Sequence, residues 1–176
     1  MRLEDLARLR QLAYRLLSSA LLYPDEKRSE TLAAAAAELK GASHAMAQFA
    51  FFPRWDRFLT SLADLPNHLA PEEEYVRVFM YSSGSAPCLP YESLYVAPGG
   101  QATGWILALL EQEYAAAGLA LSSSLKDLPD HISVELEFMA FLCGQETDAW
   151  SGRTAEKGIQ ALERQAAFLN KHLCRW

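Results

Sequence analysis

Apolar residues recur at intervals of three and four along most of the chain, the spacing that lines up one face of an α-helix. The first such stretch runs from Leu6 to Leu21 and should end before Pro24, because a residue preceding proline is displaced from helical dihedral angles. We predict further helices over residues 31–40, 45–52 and 55–65, from Pro71 onward, and over residues 106–117 and 159–173. Strand-like alternation is nearly absent. The pattern therefore predicts an all-α protein.

The segment that follows Pro129 differs from the other predicted helices. It is apolar nearly all round, from Ile132 through Phe138 to Leu142, where the others carry one apolar face. A helix without a polar face has to be covered on every side. We therefore expect this helix to be central and buried.

Residues 81–100 interrupt the helical pattern with serines, glycines and prolines. Unstructured stretches of this length are uncommon inside a compact domain and are usually functional. Tyr81, Tyr91 and Tyr95 give the stretch a strong aromatic character. They could pin the loop to the core, or they could form a stiff binding surface for a peptide, and the residues alone leave both interpretations open. We predict one helical domain, residues 1–176, with a functional loop at about 81–100.

Composition narrows the class of protein. The chain has 176 residues, of which 51% are hydrophobic and 22% charged, and its formal net charge is −6. That balance is ordinary for a globular protein and disfavours nucleic acid, which needs a concentrated positive surface. Three widely spaced cysteines form no CxxC pair, which favours a reducing compartment. The acidic start, Glu4-Asp5, does not resemble an export signal and no apolar run is long enough for a stable membrane insertion, so we expect a cytoplasmic location.

One set of residues could carry metal or acid–base chemistry. Asp127, His131 and Glu135 are spaced four apart, which would stack them on one helix face if the helix extended that far back. Two or three ligands without a second motif are too few for a metal site. A small metalloenzyme built on His131 and Glu135 is kept as an alternative. No nucleophile elbow, P-loop or dinucleotide fingerprint is present, so we expect no enzyme, no catalytic residues and no cofactor.

Acidic residues accompany the aromatic loop. Glu92, Asp130 and Glu135 could bring negative charge close to its tyrosines. Carboxylates pair with arginine in two-pronged geometry, and aromatic faces stack on guanidinium groups. Such a surface suits a peptide with both apolar and arginine character. A helical interaction module with some other protein partner remains a second alternative.

Several sequence blocks resemble the TorD/DmsD/NarJ family, cytoplasmic chaperones that mature molybdenum-containing redox enzymes. The blocks are Glu74-Tyr75-Val76-Arg77-Val78-Phe79, Pro90-Tyr91-Glu92-Ser93-Leu94-Tyr95, Leu128-Pro129-Asp130-His131-Ile132 leading into Glu135-Leu136-Glu137-Phe138-Met139, and a closing Phe168-Leu169-Asn170-Lys171-His172-Leu173 with Trp176. Their order and spacing fit that family over essentially the whole chain. The segment 135–139 is closer to the TorD/DmsD branch.

The resemblance implies an all-α bundle without catalysis, metal or cofactor. It also implies two partners, the twin-arginine leader peptide and the apo catalytic subunit of a molybdopterin oxidoreductase, whose export is delayed until its cofactor is inserted. Carried over by motif, the implied peptide-binding residues are Tyr75, Val78, Phe79, Pro90, Tyr91, Glu92, Ser93, Asp130 and His131, with Gly104 as a looser match. The resemblance does not identify which oxidoreductase is the client.

Members of that family often continue past the position of Trp176 with one or two more helices. If this chain ends there, an apolar face is left uncovered. Exchange of an identical helix between two protomers is a low-cost way to cover such a face. We therefore expect a homodimer as one oligomeric state of the chain.

Overall fold

The computed structural model describes residues 2–65, 71–80, 88–96, 103–122 and 127–176, and their secondary structure is helical. The helices are α1 Leu3–Ala20, α2 Glu26–Ser43, α3 Phe52–Ala63, α4 Pro71–Tyr75, α5 Glu92–Val96, α6 Thr103–Ala116, α7 Ile132–Ser151 and α8 Ala155–Lys171. A π-helical turn at Val76–Met80 continues α4. Within these ranges there is no strand, so the predicted all-α class is confirmed. None of the described helices combines the length and the apolar character that a membrane span needs.

Three boundaries differ from the prediction. α2 begins five residues early because the side chain of Asp25 accepts a hydrogen bond from Arg28 N (2.8 Å) and so caps the helix. The helix predicted at 45–52 is wrong: a 3₁₀ turn at His44–Met46 is followed by turns, and α3 starts at Phe52 with a proline in its first turn. The predicted loop 81–100 contains α5, while residues 81–87 and 97–100 lie outside the described residues.

The apolar side chains form two cores. The first joins α1, α2 and α3 through Leu9, Leu16, Leu32, Ala36, Leu39, Met46 and Leu59. The second joins α6, α7 and α8 through Ile106, Leu110, Tyr114, Phe138, Met139, Leu142 and Phe168. α1 connects them, because Ala13 packs against the first core and the adjacent Tyr14 against the second. α7 is buried along most of its length, as its apolar sequence predicted.

A buried polar network joins α1, α7 and α8. The Glu146 carboxylate, 3% exposed, forms an ion pair with Arg10. Its other hydrogen bonds come from Trp150 Nε1 (2.9 Å) and Gln165 Nε2 (2.9 Å). Gln165 in turn accepts from Cys143 Sγ at 3.3 Å. Both oxygens of the Glu146 carboxylate thus have donors, which is the condition for burying that charge without a large desolvation cost.

α8 crosses α7 closely at Gly158. A Cβ atom at this position would lie 2.6 Å from Trp150 Cζ2. Only glycine permits that approach, and the approach places Gln165, two turns further along α8, within reach of Glu146. The small residue therefore sets the spacing on which the network depends.

We expect Glu146→Ala to lower the free energy of unfolding by about 2–3 kcal/mol, because three donors would lose their buried acceptor. Equilibrium unfolding in urea measures this. The matched control is Glu163→Ala, which removes an exposed glutamate from α8 and should change stability by less than about 0.5 kcal/mol. Equal losses in the two variants would show that the network does not stabilise the fold.

Candidate functional site

The aromatic loop and the segment before α7 pair directly. Tyr91 and His131 form an isolated antiparallel bridge. On either side of it, Glu92 N donates to Asp130 O (3.0 Å) and Ile132 N donates to Pro90 O (2.9 Å). Two motifs that are forty residues apart in the sequence thus form one structural unit.

Asp130 holds the start of α5. Its Oδ2 accepts a hydrogen bond from Ser93 N at 3.0 Å, and its side chain is 0% exposed. A five-residue helix has little stability of its own, because the free-energy cost of nucleating a helix exceeds the gain from a single turn of hydrogen bonds. A buried carboxylate bound to its N-terminal amide is therefore what keeps this part of the loop helical.

His131 does the same for α7. Its Nδ1 accepts from Ser133 N (3.1 Å) and lies 2.6 Å from Ser133 Oγ, so the ring is engaged with Ser133 rather than with Asp127 or Glu135. Burial lowers the pKa of His131, against the opposing effect of Asp127 and Asp130. The imidazole is therefore neutral near pH 7, and an accepting Nδ1 places its proton on Nε2.

Three acids come together beneath this pairing. Glu92, Asp130 and Glu135 are each 0% exposed. Glu92 Oε2 lies 2.7 Å from Nδ1 of the equally buried His172. Within the described part of the chain, Glu92 Oε1 and Asp130 Oδ1 have no hydrogen-bond partner. The structure thus brings the predicted acids together, in the interior rather than on the surface. We call Glu92, Asp130 and Glu135 the acid cluster.

Glu135 carries no charge at neutral pH. Burial raises its pKa to about 9, and the neighbouring Glu92 and Asp130 add to the shift, while the Trp176 indole opposes it. Like charges this close cannot all ionise in a low-dielectric site. The expectation that all three acids bring negative charge to the loop is therefore wrong for Glu135.

His172 is the residue that the sequence analysis missed as a site residue. Its Nε2 lies 3.6 Å from Glu113 Oε1, and Glu113 also pairs with Lys171, so a polar chain runs from the acid cluster to the surface of α6 and α8. His172 continues the buried face of α8 formed by Gln165 and Phe168. A histidine in register with such a face was the available signal, but nothing local connects it to Glu92, eighty residues earlier.

A group of half-buried aromatic side chains borders the acid cluster. Tyr75 packs edge-on against Tyr23 (ring centroids 5.5 Å apart) and lies 4.9 Å from Phe79. Tyr91 packs edge-on against His131 at 5.1 Å. Burial, and secondarily Asp127, raise the pKa of both Tyr75 and Tyr91, which places the two tyrosines around one carboxylate. We call Tyr23, Tyr75, Phe79 and Tyr91 the aromatic rim.

The ten predicted peptide-binding residues fall into three groups by exposure. Pro90, Glu92, Ser93, Asp130 and His131 are buried, Tyr75, Val78, Phe79 and Tyr91 are half-buried, and Gly104 is exposed in the first turn of α6. The half-buried group is open to a peptide as the structure stands, whereas the buried group would need the loop to move. Nothing within 4 Å would meet a Cβ at Gly104, so packing does not require glycine there. Their part in binding a peptide stays a prediction.

The described residues contain no group of three or more histidine, cysteine, aspartate or glutamate side chains arranged to hold a metal ion. Nδ1 of His131 already accepts a hydrogen bond from Ser133 N. The metalloenzyme alternative therefore gains no ligand group from the part of the chain that the structure describes.

Comparison with known proteins identifies relatives of one kind. A family profile described as the nitrate reductase delta subunit matches residues 25–176. A selenate reductase assembly chaperone protein from Thauera selenatis is 35% identical over 138 residues, which cover 75% of this chain and 69% of the relative. A chlorate reductase assembly chaperone protein from Ideonella dechloratans is 35% identical over 106 residues, covering 60% of this chain and 52% of the relative.

Other matches agree in fold and family. The chaperone protein TorD from Photobacterium profundum is 33% identical over 101 residues, 54% of this chain and 43% of that protein. Among solved structures, a protein from Archaeoglobus fulgidus proposed to be a redox enzyme maturation protein aligns over 90% of both chains, with a TM-score of 0.55 and 24% identity. That structural match supports the helical fold.

We expect Glu135→Gln to remove a pH-dependent loss of stability. The folded pKa of Glu135 lies above the ordinary value of 4.5, so its contribution to stability is fully present below pH 4.5 and is lost as the pH rises toward 9. The difference in unfolding free energy between variant and parent should therefore grow in favour of the variant over that window, by at most about 1.4 kcal/mol per pH unit. Urea unfolding at a series of pH values measures it.

The control for this experiment is Glu137→Gln, an exposed glutamate two residues along the same helix. Its pH profile should run parallel to that of the parent protein. A Glu135→Gln profile that also runs parallel would mean that Glu135 is ionised in the folded protein.

Proposed function

The chain belongs to the nitrate reductase delta subunit family, the TorD/NarJ family that its sequence resembles, and from this we propose which partner its site binds. Relatives are named as assembly chaperones of reductases, and the chain is accordingly a maturation chaperone and not an enzyme. We propose that it binds the twin-arginine leader and the apo form of the catalytic subunit of a molybdopterin-dependent oxidoreductase. The placement in the TorD/DmsD branch stays a prediction.

The observation that carries the proposal is the position of the aromatic rim beside the acid cluster. Glu92 Oε1 and Asp130 Oδ1 are buried acceptors without a partner among the described residues. A buried acceptor in that condition costs free energy until a donor reaches it. A guanidinium group supplies five donors in a planar fork, and its faces stack on tyrosine rings such as Tyr91. The site thus offers both kinds of contact that an arginine-bearing leader uses.

Access to the acid cluster requires the loop to move, since Glu92 and Asp130 are fully buried. The loop is held by the backbone hydrogen bonds around the Tyr91–His131 bridge, by the Asp130 cap of α5 and by the contact of Glu92 with His172. Opening therefore requires these contacts to break together, at a free-energy cost that the contacts of the bound leader have to offset. We propose that a leader first contacts the aromatic rim and that its arginines then reach the acids.

Binding of the leader explains how a chaperone without chemistry can control assembly. A leader covered by the aromatic rim is withheld from the export machinery, so the client subunit stays in the cytoplasm until its cofactor has been inserted. Release then needs only competition for the same residues. The homodimer expected from the sequence stays a prediction, which light scattering at high concentration tests.

We expect a synthetic twin-arginine leader peptide to bind with a change in tryptophan fluorescence, because Trp176 lies beside Glu135. Replacing both arginines by lysine should weaken binding at least about tenfold, since an ammonium cannot make the two-pronged contact. Scrambling the apolar segment tests the contribution of the aromatic rim. Binding that survives both changes would contradict the proposal.

We expect Tyr91→Ala and Asp130→Ala each to weaken leader binding about tenfold or more while overall helicity is retained. Tyr91 offers an exposed part of its ring, and Asp130 both caps α5 and holds one of the free acceptors. Titration calorimetry measures affinity and circular dichroism measures helicity. The matched control is Asp148→Ala, which removes an exposed aspartate from α7 and should leave leader binding unchanged. If both site variants bind like the parent protein, this site is not where the leader binds.

A further inference from the structure

Two phenylalanines project from the turn between α2 and α3. Phe49 is 41% exposed and Phe51 is 50% exposed. Their rings are stacked, with centroids 5.7 Å apart and planes at 13°. Two large apolar rings held together at the surface mark an interaction site more often than single exposed residues do. We call residues Phe49–Phe51 the aromatic turn.

The rings point outward although apolar packing is available next to them. Phe52, Trp55 and Phe58 follow directly and pack against the first core. Phe49 and Phe51 do not belong to that core. The sequence therefore supplies five aromatic residues within ten positions, and the fold packs three of them against the first core and leaves Phe49 and Phe51 about half exposed.

Hydrogen bonds of the backbone hold the aromatic turn in this shape. Phe49 N donates to Met46 O (2.9 Å), Phe52 N to Phe49 O (3.0 Å) and Trp55 N to Phe51 O (3.1 Å). A surface that is already ordered loses little conformational entropy when it binds a partner. The outward orientation of the two rings is thus a property of the folded turn.

The surroundings of the aromatic turn are cationic in a protein that is acidic overall. Residues 40–58 contain Lys40, Arg54 and Arg57 and the single acid Asp56, whereas the whole chain has a net charge of −6. Lys40 lies 3.8 Å from Asp56 and neutralises it. Arg54 and Arg57 are exposed, one turn apart on α3, and pair with no acid within the described residues. Two unpaired cations therefore lie beside the two exposed rings.

We infer that the aromatic turn is a peripheral docking site for an anionic membrane surface. Aromatic side chains are favoured at the boundary between headgroups and acyl chains, and arginine is attracted by anionic headgroups. The rings project from a turn and lie beside arginines that pair with no acid among the described residues. A membrane interface deforms around a projecting side chain and attracts arginine through its anionic headgroups, so it matches both features.

The contact is shallow and reversible, because two phenylalanines and two arginines provide far less than a stable anchor. It involves none of the residues in the aromatic rim or the acid cluster. The inference therefore goes beyond the proposed function, and either of them can fail without the other. It would keep the chaperone close to the membrane that its client has to cross.

The test is co-sedimentation of the full chain with vesicles of phosphatidylcholine containing about 30 mol% phosphatidylglycerol, beside vesicles of phosphatidylcholine alone. The protein should bind the anionic vesicles, with weaker binding at higher salt. Phe49→Ser with Phe51→Ser should reduce the bound fraction at least about tenfold. Arg54→Gln with Arg57→Gln should reduce it about twenty-fivefold, at about fivefold for each arginine.

Matched controls replace exposed residues of the same types elsewhere: Ile159→Ser, and Arg8→Gln with Arg164→Gln. They should bind as the parent protein does. An independent readout is Phe51→Trp, whose fluorescence should shift to the blue with anionic vesicles, because the ring enters the interface. Leader binding should be unchanged in every one of these variants.

Three outcomes would overturn the inference. These are absence of the parent protein from the anionic vesicle pellet, a loss of binding in the controls as large as in the aromatic-turn variants, or aromatic-turn variants that bind like the parent. If the parent protein does not bind the vesicles, but the same variants lose binding to an acidic protein partner in a pull-down, the aromatic turn binds a protein and the membrane assignment is wrong.

Discussion

Burying three acids at one point in the interior is the constraint around which this structure is arranged. Each acid is accommodated in a different way. Asp130 accepts the amide of Ser93, Glu92 is bonded to His172, and Glu135 keeps its proton. The contact of Asp130 also holds α5, and the contact of Glu92 joins the loop to the end of α8. The uncharged state of Glu135 allows α7 to pass beneath both. The contacts that accommodate the three buried acids are therefore also the contacts that hold the site together.

The protein contains two buried polar networks of different character. Around Glu146, the donors Arg10, Trp150 and Gln165 meet both carboxylate oxygens. A satisfied network of this type is a device for fixing how helices pack. Around Glu92 and Asp130, acceptor oxygens are left over among the described residues. Proteins retain such costly groups where a ligand or a movement uses them, which is the physical reason for the proposal that the leader binds here.

The candidate surfaces belong to different halves of the fold. The aromatic rim lies where α4, the loop and the start of α7 meet, and it depends on the second core through α7. The aromatic turn depends on the first core, to which Phe52 and Trp55 anchor it. α1 packs on both cores, with Ala13 on one and Tyr14 on the other. α1 therefore holds the half with the aromatic rim and the half with the aromatic turn together.

The sequence by itself determined the helical class and the buried course of α7, whereas the pairing of the loop with the Asp130–His131 segment is a tertiary contact. The periodicity of apolar residues depends only on their spacing along the chain, so it can be read without the tertiary structure. It did not determine the early start of α2, which one capping contact from Asp25 decides, nor the short α5 inside the predicted loop. Both depend on a single hydrogen bond at a helix end, which apolar spacing does not encode.

Tertiary structure alone decided the chemistry of the site. The pairing of Glu92 with His172 joins residues eighty positions apart. Glu135 keeps its proton because it is buried beside Glu92 and Asp130, and of these two only Asp130 is close to it along the chain. Charge state depends on how much solvent and which charges surround a group, and these are set only when distant segments come together. The sequence thus supplied most of the candidate site residues, while the fold added His172 and decided which of them are buried, bonded or neutral.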